Sequence, residues 1–383
     1  MANKWIIQEH QLDPQQREFL DNWNVNSPNA WIKGFAGSGK SVLLAYVAKK
    51  ITKDYPQAKI LVVVFTQSLI EMYKAAFREI GVDVKIDTFY GFMKSYQGYD
   101  YILCDEVQDL TPRVIREMSS RSKHVIVAGD ANQSIYECDP KWHEDTVKPN
   151  AVGTLINGRS VELRIIHRLS KTILSAVRDL CSSLTLFDDK IDATKKDTQV
   201  RLYEASSKDE EIRYVFDNAL KVVNFGGNAA VLFPMYSDIV PFVNGVLRYK
   251  GKPAWEEKLN RWGKLDYGSM NSHLRRNGIN MQYVGNGYGN FAEGNDCINI
   301  MTYYSVKGLD FDNVFIPFAS SSLYISPNEE IAKTLFMVAM TRSRNDLYIS
   351  YTGSPCEYIH AFRSRCNKVN EQKASNTNNP FGF

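Results

Sequence analysis

Gly34-Phe35-Ala36-Gly37-Ser38-Gly39-Lys40-Ser41 fits the pattern GxxxxGK[ST] without mismatch. It follows a short apolar run and opens a helical stretch. Glycines let successive backbone N–H groups turn inward around phosphate oxygens. A helix beginning here aims its positive dipole end at the same anion. Gly34, Gly37, Ser38 and Gly39 would form the cradle. Lys40 would reach the β and γ phosphates, and the Ser41 hydroxyl would ligate Mg²⁺.

A second group is Ile102-Leu103-Cys104-Asp105-Glu106-Val107-Gln108-Asp109, an apolar strand delivering adjacent carboxylates at its C-terminal end. Ligands of open α/β sheets sit at that end. Asp105 suits Mg²⁺, directly or through water, and Glu106 suits deprotonating an attacking water. A third group, Gly129-Asp130-Ala131-Asn132-Gln133-Ser134-Ile135-Tyr136, also follows an apolar run, and its Gln133 could sense a γ-phosphate or the water.

Elements of a particular kind must hold these groups. Short β-branched runs recur at Ala30–Lys33, Ile60–Phe65, Tyr101–Cys104, His124–Ala128, Val200–Tyr203, Ala229–Phe233, Ile298–Thr302, Val314–Pro317 and Leu347–Tyr351. Several are apolar at consecutive positions, as strands buried on both faces should be. Helical stretches alternate with them at Asp13–Trp23, Ser41–Thr52, Ser68–Ile80 and Lys208–Val223. This predicts βαβ units and mostly parallel sheets. The 383 residues allow two to three domains. The strands fall into two groups, predicting an N-terminal lobe over 1–160 and a C-terminal lobe over 161–367. An aromatic and basic insertion is expected at about 250–297, and a polar, disordered tail over 368–383.

Lys plus Arg is 46 and Asp plus Glu is 43, too balanced for binding nucleic acid by bulk charge, though a local basic groove is compatible. The six cysteines are scattered without a CxxC pair, which argues against a disulfide scaffold or zinc ribbon and fits a reducing compartment. No apolar run approaches membrane-spanning length. The N-terminal stretch lacks the basic start and apolar core of a signal peptide. The expectation is a soluble, cytoplasmic protein.

The order of these motifs resembles the UvrD/Rep/PcrA-type helicases of superfamily 1, and the resemblance runs through nearly the whole chain. Leu12-Asp13-Pro14-Gln15-Gln16-Arg17 resembles the Q motif, which makes Gln16 the adenine reader. Val64–Gln67 resembles motif Ia and Thr88–Gly91 motif Ib. Residues 105–109 (DEVQD) resemble motif II, and 129–136 (GDANQSIY) motif III. Leu163–Ser170 resembles motif IV, with Arg168 as the phosphate-contacting arginine and His167 in the adenine-stacking place. Met301–Phe311 resembles motif V, placing Gly308 and Asp310 with the nucleotide. Val338–Ser343 resembles motif VI, with Arg342 as the arginine finger.

The resemblance implies two RecA-like P-loop lobes with ATP and Mg²⁺ in the cleft between them. Lobe one would supply Lys40, Ser41, Asp105, Glu106 and Gln133. Lobe two would supply Arg168 and Arg342. It also implies single-stranded nucleic acid along Phe65, Thr66, Thr88, Phe89, Tyr90, Tyr136, Thr302 and Tyr304, with closure on ATP driving 3′→5′ stepping.

Departures are specific. Gly91 and Asp105 lie only fourteen positions apart, leaving no room for the family's first accessory domain. Gly278–Gly285 resembles the strand that precedes the second accessory domain, yet motif V follows within about fifteen residues. Cys138 stands where motif III carries a base-stacking tryptophan, with Trp142 four residues on. Val42 replaces the arginine that often follows the phosphate-loop serine, and Tyr304 replaces the motif V histidine. Two functions follow: an ATP-dependent translocase or helicase on single-stranded DNA, RNA being the other track, or a nucleic-acid-gated ATPase switch serving a partner such as a nuclease.

Overall fold

The computed structural model describes residues 6–24, 27–139, 141–182, 190–289 and 297–369. They form two compact units. One holds the chain through Arg168 with a return of the chain at 190–194, and the other holds 169–182 and the residues from Lys195 onward.

The first unit has strands β1 (Asn29–Gly34), β2 (Ile60–Val64), β3 (Lys85–Thr88), β4 (Tyr99–Cys104), β5 (Ser122–Gly129) and β6 (Gly158–Leu163). They make one sheet in the order β3-β2-β4-β5-β1-β6, parallel at every pairing. Helices α1 (Pro14–Asn22), α2 (Lys40–Asp54), α3 (Gln67–Ile80), α4 (Phe89–Lys94), α5 (Pro112–Ser120) and α6 (Val152–Leu155) connect them. Residues of β2 divide between two cores: Ile60, Val62 and Val64 pack on one face, Leu61 and Val63 on the other. That is why the strand is apolar without alternation. A two-residue parallel pair, β7 (Ile165–Ile166) with β8 (Lys190–Ile191), completes the unit.

The second unit has β9 (Val200–Ala205), β10 (Ala229–Phe233), β11 (Met281–Tyr283), β12 (Ile298–Thr302), β13 (Asn313–Ile316), β14 (Leu347–Thr352) and β15 (Cys366–Val369). Their order is β11-β12-β10-β13-β14-β9-β15, again parallel at every pairing. Its helices are α7 (Lys171–Leu180), α8 (Lys208–Asn224), α9 (Ile239–Tyr249), α10 (Tyr267–Arg276), α11 (Glu329–Met340) and α12 (Glu357–Phe362). Two large parallel α/β sheets are the architecture of paired RecA-like lobes.

Three expectations about extent change. The first unit runs past residue 160, because β6 pairs with β1 along its whole length. The expected tail begins too early, since Lys368 and Val369 belong to β15, and 370–383 lie outside the described residues. The stretch 250–297 is largely not an insertion: Tyr267, Met270, Leu274, Met281 and Tyr283 belong to the unit's main core, and 290–296 lie outside the described residues. Among the described residues no helix is long and apolar enough to cross a membrane.

Candidate nucleotide and nucleic-acid sites

The phosphate loop lies between β1 and α2, at the carboxyl edge of the first sheet. Gly37 (φ 83°) and Gly39 (φ 79°) adopt left-handed backbone that a side chain would strain. The loop is also sterically sealed. A methyl on Gly34 would lie 2.3 Å from Ser38 Oγ, one on Gly37 2.4 Å from Arg168 Cβ, and one on Gly39 2.3 Å from Gln16 Nε2. Lys40 Nζ donates to the carbonyls of Gly34 (2.8 Å) and Phe35 (3.1 Å). The Ser38 hydroxyl is buried, with no hydrogen-bond partner among the described residues. A cradle with no room for methyl groups, an orphaned hydroxyl and the N-terminus of a long helix fit a polyphosphate.

Asp105 and Glu106 follow β4. Tyr73, buried on α3, donates its hydroxyl to Asp105 Oδ2 at 2.8 Å. Burial and then Glu106 push the Asp105 carboxyl above its ordinary range, against the hydrogen bonds of Ser41 and Tyr73 and the Lys40 charge. The Ser41 hydroxyl and this carboxyl thus meet, a hard-oxygen pair of the kind Mg²⁺ takes alongside phosphate and water. Glu106 itself has φ 56°. A non-glycine residue there stores about 1–3 kcal/mol of strain, a feature concentrated at functional sites.

Gln108 explains how Glu106 is held. It is 0% exposed, its Nε2 donates to Glu106 Oε2 at 2.5 Å, and its Oε1 accepts from the Asp130 amide at 3.1 Å. Gly129 must be glycine for this, since a methyl there would lie 2.3 Å from Gln108 Oε1. One buried amide therefore ties the ends of β4 and β5 together, beside the turn that carries the buried Gln133. Sequence reasoning assigned Gln108 and Tyr73 no role. Gln108 stood inside DEVQD, whereas Tyr73 carried no signal.

The residues expected around adenine are engaged within the protein. Gln16 accepts from the Asp13 amide (3.0 Å) and donates to the Ser38 carbonyl (3.2 Å). His167 lies 2.8 Å from Asp13 Oδ2 through Nε2 and 2.8 Å from Asp192 Oδ2 through Nδ1. Burial alone would lower its pKa, but the two carboxylates outweigh burial and raise it. Asp192 is drawn down to about 2, chiefly by its hydrogen bond from His167. Arg168 was expected from lobe two. It belongs instead to the first unit, where its backbone abuts Gly37 and His167 N donates to the Gly37 carbonyl at 2.9 Å.

Around motifs Ia, Ib and III the first unit carries a rack of rings. Phe65 stacks on Phe89 (5.1 Å) and Tyr136 (4.9 Å), and Tyr90 lies 4.0 Å from Phe89. Trp142 joins edge-on to Tyr90 at 5.1 Å. Phe89 is buried, while the other four are partly exposed. Lys141 sits 5.2 Å over Tyr90 and Arg113 5.5 Å over Trp142. Asp139 fixes this corner, accepting from the Trp142 amide (2.7 Å) and the Tyr90 hydroxyl (2.8 Å). Half-exposed rings flanked by cations can stack bases and hold phosphates. Thr66 and Thr88 instead spend their hydroxyls capping α3 and α4.

In the second unit, motifs V and VI are knit together. Arg342 is 2% exposed, with its guanidinium turned onto the carbonyls of Val338 (2.9 Å) and Leu309 (3.4 Å) and the Thr341 hydroxyl (2.9 Å). The residue expected as the arginine finger is thus engaged within the second unit. Asp310 is ion-paired with Arg344 at 2.6 Å, a partner the sequence reading missed two positions beyond Arg342. Gly308 has φ 80°. Thr302 is buried, its hydroxyl bonded to Ser305 (2.8 Å), while Tyr304 is half-buried.

A parallel sheet with a glycine-lined loop, a paired hydroxyl and carboxyl, and a strained glutamate defines a P-loop nucleotide-binding protein. Residues 16–139 match the family model of an AAA domain, and residues 274–354 that of the UvrD-like helicase C-terminal domain. The chain belongs to the UvrD-like superfamily 1 helicases. F-box DNA helicase protein 1 of Schizosaccharomyces pombe is 42% identical over 55 residues, 14% of this chain and 6% of that protein's length. Among solved structures, the C-terminal domain of a possible DNA helicase from Lactobacillus plantarum WCFS1 is 11% identical at a TM-score of 0.36, covering 53% of this chain and 98% of that one. Arterivirus nonstructural protein 10, a helicase solved with DNA, is 14% identical at a TM-score of 0.44, covering 88% and 63%.

Proposed function

We propose that this chain hydrolyses ATP to translocate along single-stranded nucleic acid, DNA first among the tracks, with 3′→5′ polarity. The observation that carries it is the assembly of Lys40, Ser41, Asp105 and Glu106, with Gln108 bracing Glu106, on one edge of one sheet. On this reading Lys40 exchanges its loop carbonyls for β and γ phosphate oxygens. Glu106 takes a proton from the water that attacks the γ-phosphorus, and ADP leaves with the displaced oxygen. Ser41 and Asp105 would hold Mg²⁺, which supplies charge neutralisation on the phosphates. Arg168 would steady the loop, and Arg342 would meet the developing charge once freed from its carbonyls. The rack of Phe65, Tyr90, Tyr136 and Trp142 would grip the strand, Trp142 serving in place of the tryptophan that Cys138 replaces.

The test is steady-state ATP hydrolysis without polymer, with single-stranded DNA and with single-stranded RNA. The expected result is strong stimulation by DNA that K40A and E106Q abolish. Full activity in both variants would overturn the reading.

A second reading is favoured by one observation: α4 passes to β4 through residues 95–98 alone, with no inserted domain. On it the chain is a nucleic-acid-gated ATPase switch serving a partner such as a nuclease, without unwinding. Unwinding of a tailed duplex by the purified chain would exclude it.

A further inference from the structure

Residues 258–266 of the second unit form a small antiparallel hairpin that the nucleotide site does not use. Leu259 bridges Leu265. Asn260 N donates to the Lys264 carbonyl and Asp266 N to the Lys258 carbonyl, both at 2.7 Å. The Asn260 side-chain oxygen accepts from the amides of Trp262 (2.9 Å) and Lys264 (3.1 Å), and Gly263 turns the tip at φ 72°.

The hairpin is mounted at both ends. On one side Trp255 is buried in the unit's core and exchanges hydrogen bonds with Asn244 (2.8 and 3.1 Å). On the other, Asp266 caps α10 by accepting from Ser269 N at 3.1 Å. What this mount presents is unusual. Trp262 is 67% exposed and Leu259 65%. Lys258, Arg261 and Lys264 are exposed beside them, and the Arg261 guanidinium lies 4.0 Å from the centre of the Trp262 ring. Glu256 and Glu257 lie on the approach, so the tip itself carries the positive charge.

Its position points to the ligand. Asn260 Nδ2 donates to the Tyr288 hydroxyl (3.1 Å), Tyr288 meets Tyr267 edge-on (6.0 Å), and Tyr267 stacks on Tyr283 (4.1 Å). The hydroxyls of Tyr283 and Ser305 converge over Gly285, and Ser305 bonds Thr302 of motif V. This relay of side chains links the base of the hairpin to the strand end where motif V emerges.

We propose that this hairpin is a second nucleic-acid contact, in which Trp262 backed by Arg261 stacks on an unpaired base while Lys258 and Lys264 hold the flanking phosphates. It rests on the reading of the chain as a nucleic-acid motor. The three cations favour a polyanion over an apolar protein partner.

The test is fluorescence anisotropy of a labelled oligothymidylate between 50 and 200 mM salt, values spanning the range over which phosphate contacts are read out. W262A is expected to weaken binding about five- to 150-fold, the scale of one base stack, and W262F to recover most of it. K258A/K264A is expected to reduce the slope of log K against log salt by about 1.4, at about 0.7 per phosphate. Neither should move the thermal midpoint or polymer-free ATP hydrolysis. Wild-type affinity in both variants, with binding still lost in Y90A, would overturn the hairpin proposal and leave the motor reading standing. Failure of the wild-type chain to bind the oligonucleotide would overturn both.

Discussion

Replacing Gln108 by leucine keeps the side chain's approximate volume and removes both of its hydrogen bonds. Glu106 Oε2 loses this donor, and the Asp130 amide loses this acceptor. A lost bond to a charged group costs about 1.5–3 kcal/mol and an orphaned buried amide about 1–3 kcal/mol. The sum, about 2.5–6 kcal/mol, should lower the first unit's melting temperature by roughly 5–24 °C at 2–4 °C per kcal/mol. The catalytic effect should be separable from this. Without its brace Glu106 samples other rotamers at a backbone position already under strain, so kcat for ATP should fall about ten- to a hundredfold. That is less than the 10²–10⁴-fold worth of a general base. KM should move little, because Lys40 and the loop are untouched. Q108E keeps an acceptor for Asp130 N but sets a carboxylate against Glu106, so it should recover stability partly and kcat hardly at all. Thermal melts with steady-state kinetics below the melting range decide the matter. A Q108L protein with wild-type kcat and a midpoint within about 2 °C, less than 1 kcal/mol, would refute the idea that Gln108 positions the base.

Gly37→Ala should abolish nucleotide binding, measured by calorimetry with ADP, because the methyl meets Arg168 Cβ at 2.4 Å in left-handed backbone; retained affinity would sink the sealed-loop description. His167 has a raised pKa, so its extra stability is present below its unfolded value of about 6.5 and is lost as pH climbs through the folded value. The melting difference between wild type and H167Q should therefore be larger at pH 6 than at pH 8.5, and an equal difference at both would contradict the carboxylate clamp. Glu211 is 0% exposed and accepts from Phe318 N (2.7 Å) and from the hydroxyls of Ser350 and Thr352 (2.8 Å each). E211L should destabilise the second unit by about 3–5 kcal/mol through orphaned donors, seen as an earlier unfolding transition, while E211Q retains most of the stability.

Central strands were legible because burial on both faces writes itself as consecutive apolar residues, as in Ile60–Val64 and Ala229–Phe233. The edge strands β6 and β15 were not. β6 reads Gly-Arg-Ser-Val-Glu-Leu and β15 Cys-Asn-Lys-Val, sequences that a loop could equally carry, and only their pairing with β1 and β9 makes them strands. The phosphate loop was legible because its chemistry is local, eight consecutive residues. What stayed hidden was made by distant residues. Tyr73 reaches Asp105 across thirty-two positions, and Asp13 reaches His167 across 154. Motif order put Arg168 in the second lobe, because nothing in the residues themselves says that the chain still belongs to the first sheet's unit.

The all-parallel sheets have a consequence in time. Among the described residues no neighbouring pair of strands in either sheet is a hairpin, so every ladder must wait for a later segment. In the first unit Asn29 finds Gly158, and that sheet is complete once β6 has been made. In the second, Val200 must wait for Leu347, which lies 147 residues further on. At synthesis rates of 5–20 residues per second, that is a delay of about 7–30 s. The first unit can therefore be folded on the ribosome while β9 is still a lone strand with apolar faces. The interval is one in which a chaperone has most to protect, and it is longer in the second unit than in the first.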